Sequence, residues 1–211
     1  MIRKKSSTLS MTNNETSPSG NNLEEARTFL NSAEIDGWLT RDYRYTNPVF
    51  EAALGLHIEN LTRPVWLWIP ANSEPSILAH EVDIGRFPQG PIPLIAYGSR
   101  NQMVEALKHM LNGANTVAME YSPLYELPRV GRVDAGTIEL VRSLGANVVS
   151  SGDLLQHSTE RWTPDQLQSH FFAVEALDKI VIQTFAYAGE NIRWALTEHD
   201  LAEHIRGKVD Q

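Results

Sequence analysis

The chain has no cysteine among its 211 residues, which removes disulfides, thiolate nucleophiles and Cys-ligated zinc from its chemistry. A reducing cytoplasm suits such a composition. It is also short of positive charge: 18 Lys and Arg stand against 26 Asp and Glu, a formal net charge of −8. That sign repels phosphate backbones and anionic lipid surfaces, so neither nucleic acid nor a membrane is an expected partner. No stretch supplies the roughly 18 or more consecutive apolar residues that a membrane-spanning helix needs. Arg3, Lys4 and Lys5 are followed by Ser, Thr, Asn and Gly where a signal peptide would place an apolar run. Residues 1–22 read as a disordered polar tail.

Motifs that would carry chemistry are scarce too. No Gly-x-Ser-x-Gly elbow positions a serine nucleophile. Gly131-Arg132-Val133-Asp134-Ala135-Gly136-Thr137 has phosphate-loop glycine spacing but lacks the lysine that would meet the phosphates, and reads as a turn opening a helix. His199 and His204 are five residues apart, on different helix faces. His199 and Glu203 share a face but read as a solvated pair rather than a metal site. His57, His80, His109, His157 and His170 are scattered. Trp66 and Trp68 lie in an apolar run and are expected in the core. Arg41, Tyr43, Arg44 and Tyr45 read as a solvated polar loop. No catalytic, cofactor-binding or metal-binding residue is assigned.

What the sequence does contain is an alternation of strands and helices, with 42% apolar residues to build a core. Leu23, Ala26, Phe29 and Leu30 recur at helical spacing. Gly37–Thr40 begins a strand, and Val65–Ile69 is apolar on both alternating faces, as in a strand covered on both sides. Ser76–His80 follows closely enough to form a hairpin with it. After the Gly- and Pro-rich loop 85–93 come a helix over 101–111, a strand over 116–119, a helix over 135–144 and a strand over 147–150. Ser150-Ser151-Gly152 reads as a turn. Thr163-Pro164-Asp165-Gln166 is a capping-box sequence, with Pro at the first helical position. It opens a helix of about 25 residues that runs to Gly189, and a further amphipathic segment covers 198–209.

Three stretches carry a resemblance: Val117-Ala118-Met119-Glu120-Tyr121-Ser122-Pro123, Arg132 to Gly145, and Val148 to Leu154. With Tyr45-Thr46-Asn47-Pro48 and Thr62 to Pro70 upstream, they resemble the N-terminal domain of the Xaa-Pro dipeptidase (prolidase) and aminopeptidase P family. The resemblance covers about Leu23 to His204. It implies an α/β domain, a mixed sheet flanked by helices, over 23–160, then a long linking helix and the start of a truncated pita-bread domain over 161–211. In that family two Asp, one His and two Glu of the pita-bread domain hold a pair of divalent metals such as Mn, which activates hydroxide for hydrolysis of the Xaa-Pro bond. All five ligand positions would lie beyond Gln211, so no cofactor is expected in this chain. The resemblance therefore implies a non-catalytic accessory and dimerisation domain, inactive alone, whose partners are the missing pita-bread domain and a second copy in the full-length form. Two further readings stand beside it: a stand-alone pseudoenzyme or protein-binding module, and a small-molecule enzyme using the α/β domain.

Overall fold

The computed structural model describes residues 20–158 and 160–209. Most of the expected polar tail lies outside these residues, while Gly20–Asn22 already belong to the first helix. The chain divides into two compact units, 1–160 and 161–211.

The first unit runs α1 (Gly20–Ser32), β1 (Gly37–Asp42), α2 (Pro48–Leu54), β2 (Val65–Pro70), β3 (Ser76–His80), β4 (Leu94–Tyr97), α3 (Arg100–Met110), β5 (Thr116–Met119), α4 (Ala135–Ser143), β6 (Asn147–Ser150) and α5 (Gly152–Ser158). The six strands form one sheet in the order β4-β3-β2-β1-β5-β6. β1, β2 and β3 pair antiparallel, whereas β4, β5 and β6 join in parallel. The sheet is mixed, as expected.

Strand alternation sorts the side chains into two cores. On one face Trp38, Val65, Leu67 and Ile69 pack with Ala26 and Leu30 of α1, Phe50 of α2 and Leu154 of α5. On the other, Leu39, Trp66, Trp68, Val117 and Met119 pack with Leu107 of α3 and Ile138 and Val141 of α4. That division explains why β2 reads apolar at every position, since all six of its residues are buried. Trp66 and Trp68 lie in this second core, 2% and 6% exposed.

Three elements depart from the sequence reading. α2 is only seven residues long, too short to show a period; it is fixed by its ends, where Asn47 accepts from the Val49 N–H and Gly55 closes the helix at φ 67°. β4 follows the Pro-rich loop and sits at the sheet edge, where a neighbouring proline costs no ladder bond. α5 replaces the expected turn at Ser150–Gly152, and its Leu154 and Leu155 are buried against the first core.

The second unit contains α6 (Pro164–Asn191), a 3-10 turn (Ile192–Trp194) and α7 (Glu198–Val209). Both bonds of the capping box form: Thr163 Oγ1 accepts from the Gln166 N–H at 3.2 Å, and Gln166 Oε1 accepts from the Thr163 N–H at 2.9 Å. α6 passes through Gly189, because one helical glycine costs only about 1 kcal/mol. At about 1.5 Å per residue its 28 residues span roughly 42 Å. Neither α6 nor α7 contains a buried residue, so the helix leans on its cap more than a core helix would. Thr163→Ala is expected to cost about 1 kcal/mol, read as a lower melting point of the helical circular dichroism signal, with Thr163→Ser close to the parent.

Candidate functional site

β5 ends at Met119, and the next residue is a glutamate turned toward the first core, on the face that Trp38 and Thr40 of β1 also present. Glu120 is 0% exposed. Its Oε1 accepts from Trp38 Nε1 at 2.6 Å and from Ser151 Oγ at 3.4 Å; its Oε2 accepts from Thr40 Oγ1 and Asn47 Nδ2, both at 2.8 Å. The Glu120 carbonyl accepts from the N–H groups of Arg132 and Val133 and so holds the loop that leads into α4. One residue thereby ties β1, β5, the start of α2 and the end of β6 together. Burial pushes the carboxyl group above its ordinary value, opposed by hydrogen bonds from Trp38, Thr40, Asn47 and Ser151.

Asn47 is the hinge of this knot. Its Oδ1 caps α2, while its Nδ2 also donates to the Arg41 carbonyl at 2.9 Å. Asp42, 2% exposed, accepts from the N–H groups of Tyr45 and Asn47, holding a turn in which Arg44 and Tyr45 take φ values of 56° and 64°. Tyr43, Arg44 and Tyr45 form the exposed loop expected, held in shape by Asp42, whereas Arg41 belongs to β1. Arg41 pairs with Asp134 at 3.1 Å and lies over the rings of Tyr43 and Trp66. Tyr45 accepts from the Leu61 N–H and stacks on His57. In open sheets ligands sit outside the carboxyl ends of parallel strands; beyond β5 and β6 a hollow of about 420 Å³ lies beside Tyr121 and Ser122 and one of about 190 Å³ beside Arg132 and Gly152, while the Glu120 carboxylate itself is enclosed by the protein's own donors. The carboxylate is fully buried and both its oxygens are taken up by the protein's own donors. Nothing in the sequence assigned Glu120 a role; the available signal was an acidic residue directly after the apolar run Thr116–Met119.

Gly131–Thr137 is a helix-opening turn, with Asp134 at the N-cap of α4 accepting from the Thr137 N–H at 3.0 Å. In α7, Glu203 pairs with Arg206 rather than with His199, and the His204 ring stacks on Tyr187 of α6 at 4.2 Å. Among the described residues no group of three or more His, Cys, Asp or Glu could hold a metal ion, and no helix is long and apolar enough to cross a membrane.

The second unit carries a different kind of surface. Leu167, Phe171, Val174, Leu177, Val181 and Phe185 follow a helical period along α6, and all are exposed; Phe185 reaches 77%. Ile180, Thr184 and Tyr187 lie on another side of the same helix and are half-buried. Within its own unit α6 therefore has one side turned to α7 and one long apolar stripe without cover. Single exposed apolar residues are ordinary, but a continuous stripe of this length marks a contact surface.

No family model matches the sequence, and no curated relative does. Solved structures do match. Dipeptidase PepE from Mycobacterium ulcerans is 17% identical, with a TM-score of 0.56 over 89% of this chain and 48% of that one. A recombinant prolidase from Thermococcus sibiricus is 14% identical, with a TM-score of 0.51 over 90% of this chain and 48% of that one. A proline dipeptidase from Streptococcus pneumoniae is 18% identical, with a TM-score of 0.50 over 64% of this chain and 93% of that one. Over the matched residues the chain has the fold of these dipeptidase and prolidase chains. It spans about half the length of the PepE and Thermococcus chains. Within this fold, the three stretches that carried the resemblance become β5 with the Glu120 knot, the loop and helix of α4, and β6 with the start of α5.

Proposed function

We propose that this chain is the N-terminal accessory part of an Xaa-Pro peptidase of the prolidase and aminopeptidase P type. Hydrolysis of the Xaa-Pro bond, and the divalent metal pair that supports it, belong on this reading to a pita-bread domain outside these residues. The accessory part packs on that domain and contributes to a cytoplasmic homodimer. The Glu120 knot keeps the sheet rigid while α6 presents the surface that docks.

The bare apolar stripe of α6 carries this reading, because a helix with no buried residue gains little stability until another surface covers it. The fold likeness to dipeptidases twice as long as the matched region supports it. Deprived of its partner, such a stripe pairs with itself. Sedimentation equilibrium of the 211-residue chain is expected to show concentration-dependent association, abolished when Phe171, Leu177, Val181 and Phe185 are together replaced by Ser. A monomer at every concentration that also fails to bind an apolar dye would remove the docking role.

A further inference from the structure

A separate concavity lies in the first unit, at the β3–β4 end of the sheet. Leu54, Leu56, Ile77, Phe87, Ile92 and Leu94 wall a chamber of about 340 Å³, within the range of small-molecule sites. A second hollow of about 240 Å³ shares Leu23, Pro91 and Ile92 with it and is bordered by Glu24, Arg27 and Glu74. The two share a wall, so an apolar chamber lies beside a charged hollow.

Arg27 projects from α1 into that charged hollow. Its Nη2 donates to the Ser73 carbonyl and lies 3.8 Å from Glu74, whose side chain is 85% exposed. Its Nε–H is buried and has no acceptor among the described residues. A buried guanidinium N–H is seldom left without an acceptor, because leaving it so forfeits the full cost of its desolvation. The Glu74 contact is loose and solvent-facing, so an incoming anion can take its place.

We propose that the chamber and the hollow together bind a medium-chain aliphatic monocarboxylate, with the chain in the Leu/Ile chamber and the carboxylate on Arg27. The chamber wall offers no charged or amide side chain to a sugar or a heterocycle, and burying unpaired polar groups there is unfavourable. One arginine meets one negative charge. A ligand with a second negative charge would have no further cation to meet it and would face Glu24 and Glu74, so a monoanion fits the charged hollow better than a dianion. This site is independent of the accessory role above.

The test is calorimetric titration of the full chain with decanoate below its aggregation concentration, with amide chemical shifts recorded in parallel. One saturable site is expected, with shifts at Leu54, Ile77 and Ile92. Arg27→Gln weakens decanoate about tenfold, the loss of one charge-assisted hydrogen bond, and leaves decanol unchanged. Leu94→Trp, placed at the 36% exposed rim, weakens both ligands without altering the thermal melt. Absence of saturable binding, equal decanoate affinity in Arg27→Gln, or shifts confined to the α6 stripe would overturn the assignment.

Discussion

Glu120→Ala is expected to destabilise the first unit by about 4 kcal/mol, a loss typical of emptying a buried hydrogen-bond network and leaving several donors without an acceptor. The truncation strands the Trp38 indole N–H, the Asn47 amide and the hydroxyls of Thr40 and Ser151 around a fresh void. Glu120→Gln costs less, because it keeps the shape and one carbonyl acceptor and its NH2 can donate to a hydroxyl that turns, although one N–H donor, Trp38 Nε1 or Asn47 Nδ2, then loses its acceptor on this side chain. The two variants also separate charge from shape. The Glu120 carboxyl is raised by burial, so the folded state holds its proton more tightly than the unfolded state. Its stabilising contribution is then complete below about pH 4.5 and declines as pH rises through the folded-state value. Asp83 behaves in the opposite sense. Burial raises it too, but bonds from Thr62, Arg63 and Arg86 outweigh that effect and hold it below its ordinary value. Its contribution is present above about pH 3.8 and fades as the solution is acidified. Urea unfolding at pH 5 and pH 8 should therefore show the gap between the parent and Glu120→Gln narrowing at the higher pH. A gap that widens with pH would mean that the carboxylate, not the carboxylic acid, is the form the fold prefers.

The second large effect is expected at Gly37→Ala. Gly37 opens β1, and a Cβ built there falls 2.2 Å from Cη2 of Trp68, with two more ring atoms at 2.6 and 2.7 Å. Trp68 is itself 6% exposed, packed between strand and helices, so its ring has little room to retreat. The overpacking should cost about 3 kcal/mol. A double-mutant cycle with Trp68→Leu isolates the clash: in the smaller-residue background the added methyl group is expected to cost less than about 1 kcal/mol. Equal costs in both backgrounds would place the strain elsewhere in β1.

These two residues also mark how far the sequence could be read. β1, β2, β3, β5 and β6, and the cap of α6, were legible because each rests on local signals: alternation, a run buried on both faces, an N-cap with its partner three residues on. α2, β4 and α5 were not: seven residues are too few to show a helical period in α2 and α5, and β4 follows a Pro-rich loop and carries no alternation of its own. The Asn47-Pro48 pair marked the opening of α2, but its meaning depends on Glu120, 73 residues away. The Glu120 knot was invisible for the same reason. Its five members, Trp38, Thr40, Asn47, Glu120 and Ser151, come from four separate stretches of chain and meet only once β1 has paired with β5. The stripe on α6 was legible as periodicity, but its exposure was not, because a period says which residues share a side and not what lies against it.

The central claim, that these residues dock and support but do not catalyse, is tested most directly by purifying the full chain with Mn²⁺, dialysing it, and measuring bound metal together with hydrolysis of an Xaa-Pro dipeptide. The account predicts substoichiometric metal and no turnover above the uncatalysed rate. Two equivalents of retained metal with cleavage of the prolyl bond would contradict it.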